Sequence, residues 1–307
     1  MYFLDAHCDT ITSVMRKNQE LYDNPGHISL KKLEAFNAPV IFFAIYFNKD
    51  KVDNLFQRYL QAYDFLEAQI AKNSSIAAMG RSFDEIDRNF KAGKLSAVPA
   101  IEEGGILEGK MDNFYKAADM GVRYITLTWN YPNEIGEPSA KKGGGLTPFG
   151  KDLLKEMNAR DVFADVSHLS EAGFWDVYKL STKPFIASHS NAKTLLDHHR
   201  NLTDDQLKAI GEKGGCVGVN FCNDFLVDGS GPQSTIDDLC RHVDHILKLA
   251  GEEAVGLGTD YDGISRCPAG LEDASKLPDL YKIFAKRYGA ELAEKMFFWN
   301  FMRLLKG

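Results

Sequence analysis

His7 and Asp9 stand two residues apart near the start of the chain, in the stretch DAHCDT. On an extended strand, residues i and i+2 project to the same side. The imidazole and the carboxylate then share a face, and Cys8 between them points away. A neutral imidazole beside a carboxylate is a ligand pair for zinc or a similar divalent cation. The same pair is also an ordinary hydrogen-bonded couple of a protein core, so it needs company before it means chemistry.

That company comes from other apolar runs with the same kind of ending. FADVSH ends at His168, FIASHS near His189, SAVPAIEE at Glu102 and Glu103, and GLGTDYDG at Asp260 and Asp262. If these runs are strands whose carboxyl ends gather over one mouth, the groups converge. Burying so many ionisable groups without a cation is unfavourable. One zinc takes about three protein ligands plus water. His7, Asp9, His168, His189 and a glutamate exceed that, which predicts two divalent metal ions sharing a bridging carboxylate. Such a pair can hold a hydroxide and polarise a carbonyl. Asp260 is then free to move protons, first as general base and then as acid.

Convergence requires a particular scaffold. The strand-like runs lie at residues 2–9, 39–47, 96–103, 124–130, 162–168, 185–190, 216–223 and 254–263. They are continuous rather than alternating, as in strands buried on both faces of a parallel sheet. Amphipathic stretches separate most of them. Val52, Leu55, Phe56, Tyr59, Tyr63 and Leu66 keep helical spacing. Ser234 and Asp237 read as a capping box, opening a helix that stops at Gly251. About eight strands with helices between them, over 307 residues, predict an α/β fold, a (β/α)8 TIM barrel with some distortion. An open doubly wound sheet is the alternative, because periodicity encodes neither closure nor strand order. Residues 1–307 read as one domain.

Composition narrows the partners. A net charge of -7, with 26% charged and 44% hydrophobic residues, gives no nucleic-acid footprint and would be repelled by an anionic membrane. No apolar run reaches membrane-spanning length. The chain goes directly into a strand-like run, so no leader is expected. The cysteines at 8, 216, 222, 240 and 267 are odd in number and lack metal or redox spacing, which points to a reducing, cytoplasmic compartment. His242 and His245 are expected on the polar side of their helix. His198 and His199 read as solvated, and His27 as a loop residue.

DAHCDT, IEEGG, GVRYITLTWN, GLTPFGKDLLKEMN, DVSHLS, ASHSNA, HHRNLTDDQLKAI and VGLGTDYDG together resemble the membrane (renal) dipeptidase family. The resemblance covers nearly the whole chain, in that family's order and spacing, and the family consists of distorted TIM barrels of the metal-dependent amidohydrolase superfamily. It implies a binuclear zinc site. His7 and Asp9 match the ligands of one ion, and His168 and His189 those of the other. The bridge matches a glutamate before the double glycine, and ungapped register favours Glu102 over Glu103. Asp260 matches the catalytic acid/base. Arg200 matches an arginine that pairs with the substrate carboxylate, as a guanidinium fork does in two parallel hydrogen bonds.

One departure stands out. Mammalian members have a histidine in TLTH where this chain has Trp129 in TLTW. An indole donates one hydrogen bond but does not titrate, so Trp129 is expected to wall the substrate pocket. The implied activity is zinc-dependent hydrolysis of free dipeptides, L-Xaa-D-Xaa included. The expected partners are a dipeptide and, at most, a second copy in a homodimer. The rivals are another binuclear amidohydrolase, acting on lactams or N-acyl amino acids, and a non-catalytic metal-binding relative.

Overall fold

Nine apolar runs form strands in the computed structural model, which describes residues 1–141 and 143–306. They are β1 (Leu4–Cys8), β2 (Val40–Tyr46), β3 (Ala77–Met79), β4 (Leu95–Glu102), β5 (Tyr124–Thr126), β6 (Phe163–Asp165), β7 (Ile186–Ala187), β8 (Cys216–Val219) and β9 (Val255–Leu257). Every ladder between them is parallel. The order is β1-β2-β4-β5-β6-β7-β8-β9, with β3 paired to β4 off that path.

The path closes on itself. Cys8 bridges Tyr261 in parallel. Asp9 N donates to Tyr261 O at 2.9 Å, and Asp260 N donates to His7 O at 3.0 Å. Closure rules out the open sheet and gives the barrel that the alternation of elements predicted. These closing bonds lie at the carboxyl ends of β1 and β9, so His7, Asp9 and Asp260 are brought together by the seam itself. Near the seam, Gly218 and Gly258 leave room for the Ser188 carbonyl, which a Cβ at either position would meet.

The distortion lies at β3. Leu95–Ala97 of β4 pair with β3, whereas Ile101 and Glu102 pair with β5. One strand thus exchanges neighbours along its length. Three residues, two of them alanine, carry too little periodicity for the sequence to announce β3.

Helices fill the crossovers: α1 (Thr10–Arg16), α2 (Leu55–Lys72), α3 (Phe83–Lys91), α4 (Met111–Asp119), α5 (Pro148–Ala159), α6 (Glu171–Leu180), α7 (Asp204–Glu212), α8 (Asn223–Leu226), α9 (Ile236–Ala250) and α10 (Leu277–Tyr288). Ala290–Glu294, Lys295–Trp299 and Asn300–Lys306 complete the chain's helical end. On α2, the predicted stripe of Leu55, Phe56, Tyr59, Tyr63 and Leu66 is buried.

Two local expectations are corrected on α9. Its capping box is Thr235 with Asp238, one residue later than predicted, because the Ser234 N–H is taken by Asn223 Oδ1 at 2.7 Å. His242 is buried rather than on the surface. Its Nδ1 accepts from Ala192 N at 3.1 Å, and its Nε2 lies 3.2 Å from Leu226 O. The turn after β7 and the short helix α8 cover that flank, which helical periodicity alone cannot show. Gly251 ends the helix at φ 90°.

Candidate metal centre and active site

The carboxyl ends of the strands bring the titratable groups together. His7 lies in β1, Asp9 just beyond it, and Glu102 is the last residue of β4. His168, His189 and Asp260 follow β6, β7 and β9 by two or three residues. Glu102 stands in the middle. Its Oε2 is 3.5 Å from His7 Nε2, and its Oε1 is 3.3 Å from His168 Nε2 and 3.8 Å from His189 Nε2. His7 Nε2 is also 3.5 Å from Asp9 Oδ2. His7, Glu102 and His189 form one group of potential ligands and His7, Asp9 and Asp260 another, with the ligating atoms of each within 4.8 Å of one another. Cys8 turns away, its thiol donating to Phe42 O at 3.4 Å.

The backbone is bent to achieve this. His168 and Asp260 hold φ of 68° and 59°. L-residues occupy that left-handed region at a cost of about 1–3 kcal/mol. Beside the carboxylates, Gly263 leaves necessary room. A Cβ there would fall on Asp9 Oδ2 and lie 2.6 Å from Asp260 Oδ1.

The outer nitrogen of each imidazole is held. His168 Nδ1 is 2.9 Å from Asn130 Oδ1, an acceptor, so Nδ1 carries the proton. Ser188 Oγ donates to Asp165 Oδ2 at 2.6 Å and so accepts from His189 Nδ1 at 2.7 Å. Both histidines therefore present an Nε2 lone pair inward. His7 Nδ1 meets Tyr124 OH at 2.8 Å, and its Nε2 is buried without a hydrogen-bond partner. Two imidazole lone pairs, the His7 ring and nearby carboxylates are a donor set that fits divalent cations, and the orphaned His7 nitrogen is where such a ligand atom is expected.

Electrostatics agree. Burial pushes the His168 pKa down to about 3, with the Arg200 charge adding to the effect, so this ring is neutral at ordinary pH. Burial likewise depresses His189. Asp9 is pushed up by burial and by the Glu102 charge. Asp260 is pushed up by burial, against the attraction of His7. Its Oδ2 accepts from Asn220 Nδ2 at 2.9 Å.

Glu103 is engaged elsewhere. Its Oε1 accepts from Gly105 N at 2.8 Å and Asn133 Nδ2 at 2.7 Å, and its Oε2 from Trp129 N at 2.8 Å. Asp262 is a tie as well. It accepts from Thr10 Oγ1 at 2.5 Å and from the backbone of His27 at 2.7 Å and Ile28 at 3.2 Å. His27 is thus a fixed part of the loop, its Nδ1 accepting from Asp262 N at 2.8 Å.

Arg200 is buried, only 4% exposed. Its Nη2 donates to His189 O at 3.3 Å, its guanidinium lies 5.4 Å from the Phe225 ring centre, and its Nε has no partner. A buried cation with a free donor and no carboxylate in contact is poised for an anion. Trp129 lies beside the cluster, its ring 4.7 Å from Tyr46 and 6.1 Å from His168. Asp9, Tyr46, Glu102, Trp129, His168 and Asp260 line a cavity of about 340 Å3.

The membrane dipeptidase family, peptidase family M19, matches this chain over residues 1–307. The chain belongs to that family. By membership it is a metallo-dipeptidase. An uncharacterized dipeptidase of Schizosaccharomyces pombe is 33% identical over 299 residues, covering 92% of this chain and 72% of the relative. The crystal structure of a metallopeptidase called dipeptidase AC, of the same family, superposes with a TM-score of 0.92 at 28% identity, covering 100% of this chain and 98% of the other. A metallopeptidase from Rhodobacter sphaeroides, solved with a phosphinate mimic of the dipeptide L-Ala-D-Ala, superposes with a TM-score of 0.87 at 28% identity, covering 100% and 99%.

Several residues at the centre of this family member escaped sequence reading: Tyr124, Asn130, Asp165, Ser188 and Asn220. They position other groups and have no distinctive chemistry of their own. One signal was available. Asn220 follows β8 directly, at the same level as the histidines and aspartates of the other strands. Among the described residues no helix is long and apolar enough to cross a membrane.

Proposed function

We propose that this metallo-dipeptidase cleaves free dipeptides, L-Xaa-D-Xaa among them, at a centre for two divalent cations, zinc being the expected metal. The observation that carries this reading is the placement of Glu102, with one oxygen toward His7 and the other toward His168 and His189. That is the posture of a bridging carboxylate. His7 and Asp9 would hold one cation, and His168 and His189 the other. Bound there, such cations acidify a water and polarise a carbonyl.

The chain's own residues supply the remaining steps. Arg200 takes the dipeptide's α-carboxylate and so fixes which bond faces the cluster. Asp260 accepts the proton of the attacking water and delivers it to the leaving amine as the C–N bond breaks. A raised carboxyl pKa suits both halves of that cycle, and Asn220 keeps the Asp260 side chain aimed. Trp129 and Tyr46 wall the cavity and exclude water. The mimic bound by the Rhodobacter sphaeroides relative supports an L-Xaa-D-Xaa substrate. We read residues 1–307 as one barrel domain. The five free cysteines, four of them buried, support a cytoplasmic setting.

Metal analysis with a dipeptide assay tests this. We expect two cations per chain, turnover of L-Ala-D-Ala and a loss of at least about 10^3-fold in kcat for Asp260→Asn. Unchanged turnover in that variant would remove Asp260 from the mechanism. Activity on N-acyl amino acids with none on free dipeptides would transfer the site to the rival amidohydrolase reading.

A further inference from the structure

A second cavity, also of about 340 Å3, lies on the other side of His168. It is lined by Arg200, Lys193, His199, Lys141 and Ser139, and one carboxylate, Glu171, reaches it. Among the described residues, Arg200, Lys193 and Lys141 line it with one carboxylate, an excess of positive charge in a chain whose net charge is -7. Arg200 contributes a buried, unpartnered Nε.

The walls are held in place. Lys193 N donates to Leu202 O at 2.8 Å, and Ala192 pairs with Leu202 in a parallel bridge, so the excursion between β7 and α7 is pinned at its base. Ser139 Oγ lies 3.0 Å from His199 Nδ1, and Ser139 N donates to His168 O at 2.6 Å. Among the described residues the Lys193 ammonium has one ion-pair partner, Asp197 at 3.6 Å, whose side chain is 89% exposed. Such a pair contributes little. Burial, with His198, Arg200 and Lys193 adding to it, holds the His199 pKa down to about 4, a sign of positive potential here.

The two cavities share His168 as a wall, and they divide the other groups between them. Asp9, Glu102 and Asp260 face the first, whereas Arg200 faces the second. A dipeptide with its scissile carbonyl at the cluster and its carboxylate on Arg200 brings its C-terminal residue to the border of the second cavity. Its α-carboxylate matches one of the three cations and Glu171 another, leaving one positive charge unmatched.

We propose that this cavity is the subsite for the C-terminal side chain and that Lys193, assisted by Lys141 and His199, selects a side chain bearing a second carboxylate, aspartate or glutamate. The inference rests on the dipeptidase reading above.

The test compares isosteric pairs: L-Ala-D-Glu against L-Ala-D-Gln and L-Ala-D-Asp against L-Ala-D-Asn, with L-Ala-D-Ala as reference and the L,L-forms alongside. The acid is expected to exceed its amide in kcat/KM by on the order of tenfold. Added salt should narrow the gap. Lys193→Met should bring the ratio toward one, Lys193→Arg should retain it, and Lys193→Glu should shift preference toward a C-terminal lysine. If the Lys193 variants do not fold, as judged by thermal melting, His199→Gln and Lys141→Met serve instead, and a ratio unmoved in both would overturn the proposal. Hydrolysis of L-Ala-D-Ala with no preference for acid over amide overturns the proposal alone. No hydrolysis of any dipeptide overturns the dipeptidase reading, and this inference with it.

Discussion

The Nε2 atoms of His168 and His189 face each other at 3.0 Å. With Nδ1 of each ring donating outward, to Asn130 and to Ser188, neither Nε2 carries a proton to share. Two lone pairs at that separation repel unless a positive charge lies between them and the Glu102 carboxylate. Removal of metal by a chelator should therefore destabilise the fold as well as abolish turnover. We expect a clear fall in Tm, reversed by stoichiometric divalent cation. Glu102→Gln should lower the metal content below one ion per chain, whereas His189→Ala should spare the site at His7 and Asp9. Elemental analysis of the purified variants checks both.

The relay behind His189 is a separate test. Asp165 accepts from Ser188 Oγ, and also from Thr126 Oγ1 at 2.5 Å and the backbone of Ser167 at 3.0 Å. Ser188→Ala removes the acceptor that fixes the His189 tautomer but leaves Asp165 with its other donors. Outer-shell partners of metal-binding histidines are worth about 10–100-fold in affinity. Ser188→Ala should weaken binding at the His168–His189 site by that order with a near-native Tm. Competition against a chromogenic chelator reads the affinity directly, and an unchanged value would make the relay purely structural.

Gly263 is held by steric demand rather than by chain conformation. A methyl group there collides with two short carboxylates, that of buried Asp9 and that of Asp260, which Asn220 holds. Gly263→Ala should lower kcat/KM for L-Ala-D-Ala by on the order of 10^2-fold or more, as small misplacements at reacting groups do. It should also reduce occupancy of the site at His7 and Asp9. Equal turnover in the variant and the parent enzyme would show that the carboxylates have slack.

The barrel was legible because its strands are buried on both faces and read as continuous apolar runs. The candidate metal ligands were legible as a group because ligands must be histidines or carboxylates, and strand ends put them at countable places. Strand parity was enough to set His7 apart from Cys8. It did not extend to His168 and Asp260, which leave their strands through left-handed turns. Register favoured Glu102 over Glu103, but the sequence could not show that Gly105, Trp129 and Asn133 occupy Glu103, contacts that span up to 30 residues. Tyr124 and Asn130 gained meaning only once the chain folded them against His7 and His168. His242 was misread because a helical wheel shows which side is polar but not what covers it.

That buried imidazole makes the last prediction. His242 Nδ1 accepts from Ala192 N, so Nε2 carries the proton and donates to Leu226 O. A second proton on Nδ1 would point at an N–H. Burial lowers the pKa from the ordinary 6.5 to about 4, although the Leu226 carbonyl opposes the shift. Between those values the unfolded chain binds a proton that the folded chain refuses. The stability due to the neutral ring is therefore complete above about pH 6.5 and is lost as pH falls toward about 4, at no more than about 1.4 kcal/mol per pH unit. Other groups titrate in the same range, so the informative quantity is the difference from His242→Gln, whose side chain is neutral at every pH. Urea unfolding at pH 7 and pH 5 should show the parent protein losing about 2 kcal/mol more than the variant. Equal losses would mean that the ring escapes or rearranges on protonation, and that the contacts with Ala192 and Leu226 do not hold it.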